Sequence, residues 1–252
     1  MDIPLIEVCV DSLASAREAV RGGADRLELC ANLIIGGTTP SPALIRETVK
    51  LGVPVNVLIR PRFGDFLFTQ DEQREQLEQL AQLRALGASG AVVGALRADG
   101  ALDTSFLLAC REAAQGLTLT LHRAFDLCAD ARQALEQAAA LGFDAILTSG
   151  QRATAAEGAA LLAQLVRQAA GRVTIMPGGG VNAENIARLH AQTGARAFHL
   201  SAKRTVDSGM AFRRAEVCMG LPVMSEYARF VTDAQAVAEA KRALARACGR
   251  RD

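Results

Sequence analysis

Cys9 and Cys30 each follow a glutamate by two residues, Glu7 and Glu28, inside short apolar runs. Residues two apart on a strand face the same side. If both runs are strands, each presents a carboxylate and a thiol to one face. On neighbouring parallel strands, about 4.8 Å apart, Cys9 and Cys30 could grip a soft ion such as Cu(I), which thiolates select. Met176 is a more distant sulfur. The alternative is two small buried hydrophobes. Glu7 and Glu28 are candidate proton-transfer groups, or members of a buried ion-pair network.

Three further segments carry chemistry. Arg60-Pro61-Arg62 stiffens a turn between two guanidinium forks, suited to an anion or to pairing with Glu28 or Asp65. His122-Arg123-Ala124-Phe125-Asp126 offers an acid, base or ligand in His122, an anion contact in Arg123, and in Asp126 a carboxylate to orient His122 or pair with Arg123. Gly178-Gly179-Gly180 precedes a helix, and Ser201, Lys203 and Arg204 follow the next strand. Barrel enzymes often bind phosphate in those two places through backbone N–H groups. The remaining cysteines, at 110, 128, 218 and 248, show no ligand spacing.

These residues need a scaffold, and the chain supplies a repeating one. Apolar runs at 5–10, 26–30, 54–60, 91–96, 117–122, 145–148, 173–176 and 197–200 alternate with longer, often Ala-rich amphipathic runs. The helices are expected near 12–20, 41–51, 71–86, 104–114, 130–141, 154–170, 183–192 and 234–247. Eight parallel strands with crossover helices predict an α/β fold, a single (β/α)8 TIM barrel over residues 1–252. Residues 202–230 are expected as a long loop or a short extra helix before the last helix. Strand parity sends Ile6, Val8, Val10, Leu27 and Leu29 toward the helices. It sends Glu7, Cys9, Glu28, Cys30, Asn56, Arg60, Thr120, His122 and His199 into the barrel.

Composition narrows the partners. Lys plus Arg is 28 against Asp plus Glu 27, a net charge of +1, and there is no Trp and one Tyr. Nucleic acid is not expected. No apolar run is long enough to cross a membrane, and no basic N-terminal region suggests a signal peptide. A cytoplasmic protein with reduced thiols and no organic cofactor is expected.

The motifs together resemble the CutC family, described as copper homeostasis proteins with a TIM-barrel fold. The carriers are Gly23-Ala24-Asp25-Arg26-Leu27-Glu28-Leu29-Cys30, Gly36-Gly37-Thr38-Thr39-Pro40-Ser41, residues 59–66, residues 122–126, Leu147-Thr148-Ser149-Gly150 and Gly178-Gly179-Gly180-Val181. The resemblance implies copper handling in the cytosol, a homo-oligomer (dimer or larger), and Cys9 and Cys30 as copper contacts. The residues themselves also fit a lyase, isomerase or hydrolase acting on a small anionic or phosphorylated molecule. In that reading Glu7, Glu28 or His122 moves a proton while Arg60, Arg62 and Arg123 hold negative charge. A barrel serving only as a binding scaffold is the third reading.

Overall fold

The computed structural model describes residues 4–214, 216–217, 219–220 and 225–249. Each apolar run becomes a parallel strand: β1 (Leu5–Val10), β2 (Arg26–Leu29), β3 (Val55–Leu58), β4 (Gly90–Val93), β5 (Thr118–Leu121), β6 (Ala145–Thr148), β7 (Thr174–Pro177) and β8 (Ala197–Leu200). The helices between and after them are α1 (Leu13–Arg21), α2 (Pro42–Val49), α3 (Gln70–Leu83), α4 (Thr104–Ala113), α5 (Ala131–Ala140), α6 (Ala159–Ala169), α7 (Ile186–Thr193) and α8 (Ala234–Ala247). Polar caps set several starts. Ser12 accepts from the Ser15 N–H at α1, and Thr69 and Glu72 form a reciprocal capping box at α3.

The strands pair in the order β7-β6-β5-β4-β3-β2-β1-β8, and β7 and β8 meet at the seam. This is the expected TIM barrel. Sequential neighbours follow from short helical crossovers, and the contact of β7 with β8 brings the two outer strands together into a nearly closed barrel.

Parity also holds. Ile6, Val8, Val10, Leu27, Leu29, Val57, Leu119, Leu121 and Phe198 share one core with helix residues such as Ala16, Ile45, Leu107, Leu162 and Leu244. Each buried large aliphatic side chain there is worth about 1.5–3 kcal/mol. The interior is different. Two small apolar groups, Cys30-Leu58-Val92 and Leu147-Met176-Ala197, share it with buried Glu7, Glu28, Asn56, Arg60, Thr120, His122 and His199. Gly94 makes room for one of them. A Cβ on it would lie 2.5 Å from the His122 ring, a clash that would displace the imidazole.

The 202–230 segment corrects the expectation of a loop or short helix. It holds two antiparallel strands, β9 (Lys203–Asp207) and β10 (Ala228–Thr232), with Lys203 opposite Thr232. Alternating Thr205, Val206, Val231 and Thr232 favour strands. The signal is easily missed because about 20 residues separate the pair, too many for a tight hairpin turn. The hairpin is tied to α1 by the Thr232 N–H, which donates to Ser15 Oγ at 3.2 Å. Residues 215, 218 and 221–224 of the segment, Cys218 among them, lie outside the described residues.

Candidate functional site

The interior polar cluster is built by register. Glu7 on β1 lies opposite Arg26 of β2 on one side and His199 of β8 on the other, and Cys9 lies opposite Glu28. Fully buried Glu7 accepts from Arg26 Nε at 2.6 Å and from His199 Nδ1 at 2.8 Å. Burial alone would raise its carboxyl. The His199 hydrogen bond and the Arg26 charge outweigh burial and hold it below the ordinary range. Glu7 is therefore ionised, and His199 Nδ1 carries the proton it donates. The arginine serving the glutamates is thus Arg26 and not Arg60. Its remaining contact is Nη2 donating to Met176 Sδ at 3.6 Å.

His199 turns its other nitrogen toward a second group. Cys9 Sγ, a Glu28 carboxylate oxygen and a His199 ring nitrogen all lie within 4.8 Å of one another, with His199 Nε2 3.6 Å from Glu28 Oε2. Burial would lower the His199 pKa. The charges of Cys9 and Glu28 and the bond to Glu7 raise it well above the ordinary imidazole value. Burial lifts Glu28 above the usual carboxylate range; the His199 charge opposes this and Glu7 adds to it. Cys30 Sγ lies 3.7 Å from Glu28 Oε2. Burial, then the Glu28 charge, pushes its thiol well above the ordinary range. Thus the donors gathered around Cys9 are Glu28 and His199, and Cys30 packs instead against Leu58 and Val92.

Above this cluster the mouth narrows to a cavity of about 170 Å³ lined by Cys9, Glu28, His199, Arg60, His122 and Arg123, with Phe66 and leucines as apolar wall. Arg60 is held by backbone carbonyls: Nη1 donates to Gly36 and Gly37, and Nη2 to Gly64 at 2.7 Å. Phe66 lies 4.8 Å from both the Arg60 guanidinium and the His122 ring. His122 Nδ1 accepts the Ala124 N–H at 3.1 Å. Burial, then the Arg60 charge, lowers its pKa to about 3. A neutral ring whose Nδ1 accepts must bear its hydrogen on Nε2. In 15N spectra His122 is expected as the Nε2–H tautomer, unchanged from pH 5 to 8, while His199 stays charged at neutrality. A His122 signal titrating near its ordinary value would refute this.

The other expected residues are placed differently. Arg62 is bound to Glu72 at 2.5 Å and Asp65 at 3.1 Å and does not line the cavity. Asp126 does not orient His122. It accepts from Arg123 Nε at 2.7 Å, from the Ser149 N–H and Oγ at 3.0 Å and from the Gln151 N–H at 3.1 Å. It is a strut for the β6 loop, with Arg123 Nη2 also donating to Ser149 Oγ at 2.9 Å. Gly178, Gly179 and Gly180 lie outside the cavity, and the Gly179 Cα faces the Arg123 guanidinium and Ser149. Following N–H groups are already used: Asn182 donates to Asn185 Oδ1, and Glu184 and Asn185 donate to Asn182 Oδ1. Ser201 and Lys203 line a second cleft, about 710 Å³, between the hairpin and the loops after β1 and β2. Cys9 and Leu33 line both spaces. Arg204 faces Asp233 at 3.8 Å. Sequence reasoning passed over Arg26, Phe66 and Gly94. Arg26 was within reach, because it shares the inward parity of Glu28.

Comparison with known proteins agrees with this architecture. The family model described as "CutC family" matches residues 4–204. The human copper homeostasis protein cutC homolog is 46% identical over 232 residues, covering 91% of this chain and 85% of its own. A CutC family protein of Chromobacterium violaceum is 46% identical over 244 residues, 96% and 99% of the two chains. The solved CutC structure from Streptococcus agalactiae superposes with a TM-score of 0.76 at 34% identity, covering 79% of this chain and 99% of that one. N-(5'-phosphoribosyl)anthranilate isomerase from Pyrococcus furiosus, 14% identical over 96% of this chain and 99% of its own with a TM-score of 0.56, shares the fold alone. Among the described residues no helix is long and apolar enough to cross a membrane. By its sequence, its fold and its matched length, the chain belongs to the CutC family.

Proposed function

We propose that this protein handles copper in the cytosol, taking Cu(I) as cargo at Cys9 and His199. The donor chemistry fits. Cu(I) prefers thiolate and imidazole, and a buried pair of that kind lies beside one carboxylate, Glu28. The observation that carries the reading is the bond from His199 Nδ1 to Glu7. Metal-binding histidines characteristically donate their second N–H to a carboxylate, which fixes the ring and raises its basicity. Here Glu7 does so and leaves Nε2 facing Cys9 and Glu28. Named relatives are copper homeostasis proteins, which supports the same cargo. Cys9 also lines the larger cleft, which gives a route for entry.

Binding must displace the Cys9 thiol proton and the His199 Nε2 proton, so affinity rises with pH. Glu28, adjacent to both and with a raised carboxyl pKa, accepts one of these protons, and the other passes to solvent. Anaerobic Cu(I) titration against a competing chelator tests this. Cys9→Ser and His199→Gln are each expected to weaken binding about 100-fold, the upper range seen even for outer-shell partners. Cys30→Ser should do less. Undiminished affinity in the Cys9→Ser/His199→Gln double variant removes the reading.

A further inference from the structure

The cavity holds a second set of groups that copper chemistry does not use. Arg60 is 7% exposed, and among the described residues no carboxylate pairs with it. Its Nε–H has no partner within the protein, and neither does His122 Nε2, on a residue 5% exposed. Both residues line the cavity beside Arg123. Buried polar groups are nearly always hydrogen-bonded, and an unpaired buried charge is strongly unfavourable. Two unsatisfied donors on residues that line one space are therefore a recognition feature. The backbone holds both in place: three carbonyls fix the Arg60 fork, and the Ala124 N–H fixes the His122 tautomer as a donor. Gly94 has no Cβ, which lets the imidazole lie there.

We propose that the barrel mouth binds a small organic oxyanion, a carboxylate or a phosphate monoester, whose charged oxygens accept from Arg60 Nε–H and His122 Nε2–H beside Arg123. Its two donors and its cation match the acceptors of such a group. A cavity of about 170 Å³ holds about five or six water volumes at ~30 Å³ each, so the ligand is compact. With its anion at Arg60, the remainder of the ligand contacts Phe66, Leu58 and Leu147 and reaches toward Glu28 and His199. The site goes beyond copper handling and stands without it, since neither Arg60 nor His122 belongs to the Cys9, Glu28 and His199 cluster.

The test uses metal-stripped full-length protein, titrated at constant ionic strength with inorganic phosphate and, separately, with acetate. The side-chain N–H resonances of Arg60 Nε and His122 Nε2 are followed by NMR. Repetition with Cys9→Ser separates this site from the copper reading, because anion binding should survive that change. Saturable shifts of both resonances are expected with at least one probe. Response to phosphate alone assigns a phosphate monoester, response to acetate alone assigns a carboxylate, and response to both assigns the shared oxyanion. Arg60→Met should weaken binding about tenfold or more, and Arg62→Met should leave it unchanged. Unmoved Arg60 and His122 resonances with both probes overturn the proposal. So does unaltered affinity in a folded Arg60→Met protein.

Discussion

Glu7→Gln should lower the stability of this barrel by about 3–5 kcal/mol, the range for breaking a buried ion pair from one side. Glu7 is fully buried and answers two cations, Arg26 at 2.6 Å and the His199 imidazolium at 2.8 Å. Glutamine keeps the shape and one acceptor oxygen. It removes the charge and turns an N–H group toward a donor. Urea unfolding should show a lower midpoint with an unchanged slope. Arg26→Met in the same chain should recover part of the loss by removing one stranded cation. The pH dependence has a definite sign. The depressed Glu7 pKa contributes stability that is present above its unfolded value of about 4.3 and disappears as pH falls through the folded value. The raised His199 pKa contributes stability that is present below about 6.5 and disappears as pH rises through its folded value. The pair therefore contributes most between about pH 4.5 and 6.5. Glu7→Gln should flatten the profile on both sides. A loss under about 1 kcal/mol would mean that this cluster is not the electrostatic centre described above.

Asp126→Ala should be almost as severe, at about 3 kcal/mol. Its carboxylate gathers the Ser149 N–H, Ser149 Oγ, the Gln151 N–H and Arg123 Nε, together with Thr148 Oγ1. Thr148 and Ser149 are fully buried; the Ser149 hydroxyl keeps the Arg152 carbonyl at 2.5 Å, but the Thr148 hydroxyl and the Ser149 N–H would be stranded. Each stranded buried donor costs about 1–3 kcal/mol, and the members of one network do not add. Amide exchange at 148–151 should accelerate selectively, while β1 and β2 stay protected. Loss of stability without that local exchange signature would contradict the strut role.

The fold was legible because two periodicities agree. Period-two alternation in runs such as residues 5–10 and 117–122, set between helical stretches, fixes both the strand count and the inward face. The site was legible by face and not by partner. Parity placed Glu7, Cys9, Glu28, Arg60, His122 and His199 in one interior. It could not say which cation meets which anion, because that depends on inter-strand register. A ladder placing Glu7 opposite both Arg26 and His199 appears only when the strands are paired. Loop residues were less readable still. Arg62, Asp126 and the glycine run carry the right chemistry in the right region. Their contacts are settled by neighbours distant in sequence, such as Glu72 for Arg62 and Ser149 for Asp126. The hairpin strands pair with each other across a long insertion, where no turn motif announces them.

Cys9 and Leu33 each border two rooms, the small cavity and the larger cleft. A guest in one room that turns the cysteine or presses on the leucine alters the free energy of occupying the other. Linkage makes any such influence mutual and equal: whatever factor a ligand in the cleft applies to affinity in the cavity, a ligand in the cavity returns to the cleft. Binding strength in either room then depends on what occupies the other.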